Sequence, residues 1–279
     1  MTIPMQQPDT SRVMRGLTAE STPNSANTGP ASLQVFRYRV GSETVETVIG
    51  PPSPCLPHAV LAAHAADALG SRTFMFYTLS DDGAFDADEL CFVPAGDHCD
   101  ILSIHSHHWH RRRGDIRRDL IDILTELAAA IACGSLVILD GEELGDHTAP
   151  GDELVRIPID DTQSLARARE VADFAMCGCD VPPHVRRQTV LAISEAATNI
   201  LVHGGGHGHM TVRLLDDRLR FVVDDSGTGL NFLSWRDGPR VDSSPSMGYG
   251  FKIILESFDT VGLHSGSSGT TLILDRITD

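Results

Sequence analysis

Lysine is almost missing from this chain: of 279 residues only Lys252 is one. Lys and Arg together number 22 against 38 Asp and Glu, a formal charge of -16. A chain of that sign repels phosphate backbones, which argues against direct nucleic-acid binding. A long apolar run is missing too. The longest stretch, residues 127–139, is well short of the ~20 residues of a membrane helix, and Gly134 interrupts it. No membrane span is expected. The opening MTIPMQQPDTSRVMRGL has no apolar signal-peptide core. The six cysteines, at 55, 91, 99, 133, 177 and 179, form no CxxC pair, and they read as mostly reduced thiols of a cytoplasmic protein.

Hydrophobic residues make up 41% of the chain, enough for a packed core. Residues 1–30 are rich in Ser, Thr, Pro, Gln, Asn and Gly without apolar period, and a disordered tail is expected there. From Leu33 strand-like and helix-like segments alternate: LQVFRYRV, ETVETVIG, the helix PHAVLAAHAADALG, then TFMFYTL and ELCFVPA. A helix over GDIRRDLIDILTELAAAIACG and the buried-type strand SLVILD follow. The polar GEELGDHTAPGDE reads as a boundary between an α+β domain at 31–149 and a second domain at 150–279. After it come the strand ELVRIPI, a helix capped at Asp161 or Thr162, and the helix VPPHVRRQTVLAISEAATNILVHGGG. The hairpin HMTVRLL/RLRFVVDD, the helix FKIILESF and two closing strands complete the chain.

Four pieces of the second domain carry chemistry. Glu195 and Asn199 stand at i,i+4 on an otherwise apolar helix, so they share a face. A solvent face and a lined cavity both fit that pattern; buried without partners, a carboxylate and an amide would cost free energy. The strand FVVDD runs into Asp225-Ser226-Gly227-Thr228-Gly229. There a carboxylate accepts a hydrogen bond and the glycines let a flat ligand approach. Gly248 and Gly250 precede a helix whose N-terminal N–H groups suit an anion. Lys252, in the first turn of that helix, has reach to a phosphate or lies on the surface. Gly269-Thr270 opens the last strand.

In this order the pieces resemble the GHKL superfamily, the ATP-binding fold of gyrase and histidine kinases. The segments SEAATNILVHG, DDSGTGL, MGYGFKIILESFD and SGTTLIL are similar to the anti-sigma-factor serine kinases and related switch-protein kinases of bacterial partner-switching systems. The resemblance covers about residues 153–279, and residues 31–149 resemble nothing named. It implies a two-layer α/β sandwich, with a mixed sheet and helices on one face. It implies ATP and Mg²⁺ as cofactors. Glu195 would take the proton of the attacking hydroxyl, and Asn199 would hold Mg²⁺. Asp225 would read the adenine amine, with Gly227 and Gly229 shaping its pocket. Gly248 and Gly250 would meet the phosphates, Thr270 would support adenine, and 231–246 would replace the ATP lid, with Trp235, Arg236 and Arg240 in it. The implied substrate is a Ser or Thr of a STAS-domain anti-sigma-factor antagonist. A sigma factor or a phosphatase is a further candidate partner, and a homodimer a candidate assembly. The alternative is a non-catalytic regulator that binds partners according to ATP or ADP state.

The cluster His105, His107, His108 and His110, with His98 and Cys99 nearby, has imidazole and thiolate groups of the kind zinc takes but lacks HxxxH or CxxC spacing; a solvated loop is the main expectation. Arg111–Arg113 with Arg117 and Arg118 form a local basic patch, either a solvated helix start or a dock for an acidic partner.

Overall fold

Apolar positions between residues 32 and 106 form one antiparallel sheet, and those from residue 136 onward form a mixed one. The computed structural model describes residues 32–41, 44–50, 58–71, 73–80, 87–106, 115–227, 229 and 249–278. The tail at 1–30, the lid at 231–246, Gly248, and the 107–113 part of the His/Arg cluster lie outside the described residues.

The first sheet has the order β2-β1-β5-β4-β3. Its strands are β1 (Ser32–Arg39), β2 (Val45–Ile49), β3 (Met75–Ser80), β4 (Ala87–Ala95) and β5 (His98–Ser106). Helix α1 (His58–Leu69) packs on one face, where Phe36, Leu61, Leu90, Phe92 and Ile101 are buried together. The other face meets α2 (Asp115–Cys133) through Val35, Ile49, Cys91 and Leu102 against Leu124, Leu127 and Ala128. β5 is a central strand that the sequence pattern did not mark. Its polar Asp100 is buried because Arg37, directly opposite on β1, pairs with it at 2.8 Å. Neighbouring residues of a strand face opposite sides, so Cys99 points into the α1 core and does not converge with His98. Burial raises the Cys99 thiol to about 12.

The second sheet has the order β6-β10-β11-β9-β8-β7. It comprises β6 (Leu136–Ile138), β7 (Asp152–Ile159), β8 (Gly208–Leu214), β9 (Arg218–Asp225), β10 (Thr260–Gly266) and β11 (Gly269–Ile277). All neighbours are antiparallel except β6, which runs parallel to β10. Helices α4 (Thr162–Gly178), α5 (Pro183–Val202) and α6 (Tyr249–Ser257) cover one face, giving the α/β sandwich expected. The core is continuous with that of α2 and the first sheet.

Two features differ from the sequence reading. β6 precedes the expected boundary at 149/150, yet it is a strand of the second sheet. The polar stretch after it is not a bare linker but helix α3 (Gly141–Thr148). Asp140 caps α3 by accepting from Glu142 N–H and Glu143 N–H, and the Glu143 carboxylate accepts from Asp140 N–H. This local pairing outweighs the Gly and Pro content that suggests a linker. α3 lies toward the sheet face opposite α4–α6, where its His147 carbonyl accepts from buried Arg220 at 2.5 Å.

Candidate nucleotide-binding site

The site begins with α5. Pro183 occupies its first turn, where the missing N–H costs nothing. Thr189, Ala192, Ile193, Ala196, Ala197 and Ile200 recur at three- and four-residue steps and are buried. That stripe sets the rotation of the helix. Glu195 and Asn199 fall beside it, half-buried one turn apart.

Glu195 lies against the start of α6. A Cβ built on Gly250 would sit 2.8 Å from Glu195 Oε2. A side chain at 250 would push aside the end of the Glu195 side chain, which places that carboxylate directly against the start of α6. Gly250 is the second residue of α6, where N–H groups are free of helical partners.

Asp225 ends β9. Its Oδ1 accepts from Gly227 N–H at 2.9 Å and from Thr270 N–H at 3.1 Å. Two backbone donors therefore fix the carboxylate and leave Oδ2 as its second acceptor. Thr270 is buried, and its Oγ1 lies 3.3 Å from Ser265 Oγ across the β10–β11 pair. Gly227, Gly229 and Gly269 are each pressed against neighbouring chain. A Cβ on Gly227 would lie 2.8 Å from the Gly204 backbone, one on Gly229 2.7 Å from the Gly266 carbonyl, and one on Gly269 2.0 Å from that of Asp225.

The structure thus brings together Glu195 with Gly250, and Asp225 with Gly227, Thr270 and the end of α5. Asn199 follows Glu195 by one turn of α5, near its C-terminal end. Its carbonyl accepts from Gly204 N–H at 2.9 Å. Lys252 lies partly exposed at the surface, one of the two readings open for it. Its Nζ pairs with Glu126 of α2 at 2.8 Å, tying α6 to α2. Gly204, expected only as a helix stop, packs against the Asp225 side chain; a glycine run after a helix carries no signal of what it touches.

A hollow of about 460 Å³ opens on the other face of the sheet, lined by Thr148, Arg156, Arg213, Val222 and Asp224 among others. Asp224 and Asp225 both line it, so the hollow reaches the carboxylate that ends β9.

The arrangement offers a carboxylate with one oxygen that no described residue's donor fills, an acid beside a helix N-terminus, and an amide one turn from that acid. These groups suit an amine-bearing base, an anionic tail and a hard cation in that order. Comparison with known families agrees. Residues 158–276 match the family model described as the histidine-kinase-like ATPase domain, which supports the GHKL superfamily and ATP binding for this part of the chain. No curated protein matches the chain.

Proposed function

We propose that the protein is an ATP-dependent protein serine/threonine kinase of a bacterial partner-switching system, acting on a STAS-domain anti-sigma-factor antagonist. The observation that carries this reading is the position of Glu195. A module that only binds nucleotide needs the adenine reader and the phosphate bend, but not an acid at the phosphate end. Here the acid is present, and Gly250 makes room for it.

In this reading Asp225 Oδ2 accepts from the adenine amine, with Thr270 beside it, and Gly227 and Gly229 leave the base room. Gly250 and Gly248 give N–H groups to the phosphates. The Asn199 side-chain oxygen would hold Mg²⁺, which when bound neutralises charge on the phosphate oxygens. Glu195 accepts the proton of the serine hydroxyl as its oxygen bonds to the γ-phosphorus and ADP departs. Lys252 pairs with Glu126 across the α6–α2 contact. A sigma factor or phosphatase as further partner, and a homodimer, are consistent with the kinase resemblance.

The test is incubation of the full chain with Mg²⁺, γ-labelled ATP and a STAS-domain protein. Label on a Ser or Thr of that protein, lost in Glu195→Ala while ATP binding persists, supports the kinase. ATP binding by the wild type without transfer to any STAS protein tried favours the non-catalytic regulator.

A further inference from the structure

We propose that Gly204 is a positioning residue for base recognition, holding the end of α5 against the adenine-reading carboxylate and setting the spacing between Asp225 and Asn199. This inference rests on the nucleotide-site reading above and adds a residue to it.

Two glycines with positive φ end α5, Gly205 at 79° and Gly206 at 84°. Those conformations favour glycine for backbone reasons. Gly204 is not among the positive-φ glycines, and in a helix-ending role alanine would serve there. Its requirement is spatial. Gly204 is buried, and a Cβ on it would lie 2.7 Å from Asp225 Cβ and Cγ and 2.8 Å from Oδ2. That oxygen is the one not occupied by backbone donors. Gly227 closes on Gly204 from the other side. The N–H of Gly204 is shared between the Asn199 and Ile200 backbone carbonyls, so the residue that touches Asp225 is also where the helix carrying Asn199 ends. A methyl group here would either turn Oδ2 away or push β9 from α5. Both move the base end of the site relative to its phosphate end.

The test compares Gly204→Ala with Gly206→Ala. Gly206 has nothing within 4 Å of a built Cβ, so alanine there strains the backbone without crowding Asp225. Binding of ATP and of a purine triphosphate lacking the amine is measured for each by calorimetry, in the full chain with Mg²⁺. Wild type and Gly206→Ala should prefer ATP. Gly204→Ala should weaken ATP by roughly tenfold to a hundredfold, the scale of a misplacement near 1 Å, and lose the preference for the amine. If Gly204→Ala does not fold, the wild type is followed by NMR. The Gly204 amide should shift on ATP saturation and much less with the amine-free analogue. Unchanged affinity and preference in Gly204→Ala, or a Gly204 amide indifferent to saturating ATP, overturns the proposal while the site reading stands. A wild type that binds neither nucleotide overturns both.

Discussion

Arg37 in the first sheet and Arg220 in the second occupy matching situations. Each is buried, each pairs with an aspartate on the adjacent strand, and each gives a further N–H to a carbonyl in the β6–α3 segment. Arg37 takes Asp100 and the Ile138 carbonyl, the latter at 2.7 Å; Arg220 takes Asp275, both oxygens at 2.6 Å, and the His147 carbonyl. Arg37 also reaches Glu143 of α3 at 3.1 Å. The sheets therefore hold the same short segment from two sides. They differ around one strand end. In the second sheet Gly204, Gly227 and Gly269 crowd Asp225 so closely that a Cβ on any of them would clash. The buried ion pairs serve the fold; the bare backbone around one carboxylate serves the site.

That contrast can be broken by mutation, because site groups and fold groups should fail differently. Glu195→Ala should lower phosphotransfer about 10²- to 10⁴-fold, the usual share of a general base, and leave thermal stability close to wild type. A parallel fall in Tm would make Glu195 a structural residue. Asp275→Ala should cost about 3–5 kcal/mol, because it strands the buried Arg220 guanidinium, and Asp100→Ala should cost less, because Glu143 still pairs with Arg37. Calorimetry should show a single transition in both, since one hydrophobic core runs through both sheets. Two separate transitions would mean that the sheets fold independently.

A smaller effect belongs to His98. The Asp100 carboxylate, and then Asp97, raise the His98 pKa above its ordinary 6.5 against the opposing effect of burial. The sign follows from the raised folded value. The contribution is fully present below about pH 6.5, the unfolded value, and is lost as pH rises through the folded one. His98→Gln should flatten the pH dependence of Tm across that window, and an unaltered profile would exclude the histidine as its source. Smallest of all, Lys252→Ala should cost at most about 1 kcal/mol, as a partly exposed ion pair does, and leave ATP affinity nearly unchanged. A large loss of affinity would return Lys252 to the phosphates.

Residue type and spacing made part of this site legible before any coordinates. Glu195 and Asn199 at i,i+4, the acid that ends β9, and Thr270 opening β11 all stand on regular elements, where period determines facing. The helix-side sheet was legible for the same reason. Gly204 and Lys252 were not, because what they touch is decided by elements far along the chain: Asp225 for one, Glu126 for the other. α3 was hidden by its polar composition and its Gly and Pro neighbours, although Asp140 and Glu143 already stand at capping-box spacing. β5 was hidden because Asp100 is tolerable in a central strand only with Arg37 opposite.

The central claim is that Asp225 reads an adenine base in a cleft shared with Glu195 and Asn199. Calorimetric titration of Mg²⁺-ATP into wild type and Asp225→Ala tests it most directly. The account predicts saturable binding by the wild type and its loss, by at least roughly tenfold in Kd, in the variant, from removal of a hydrogen bond to a charged acceptor. Equal binding by the two proteins would contradict it.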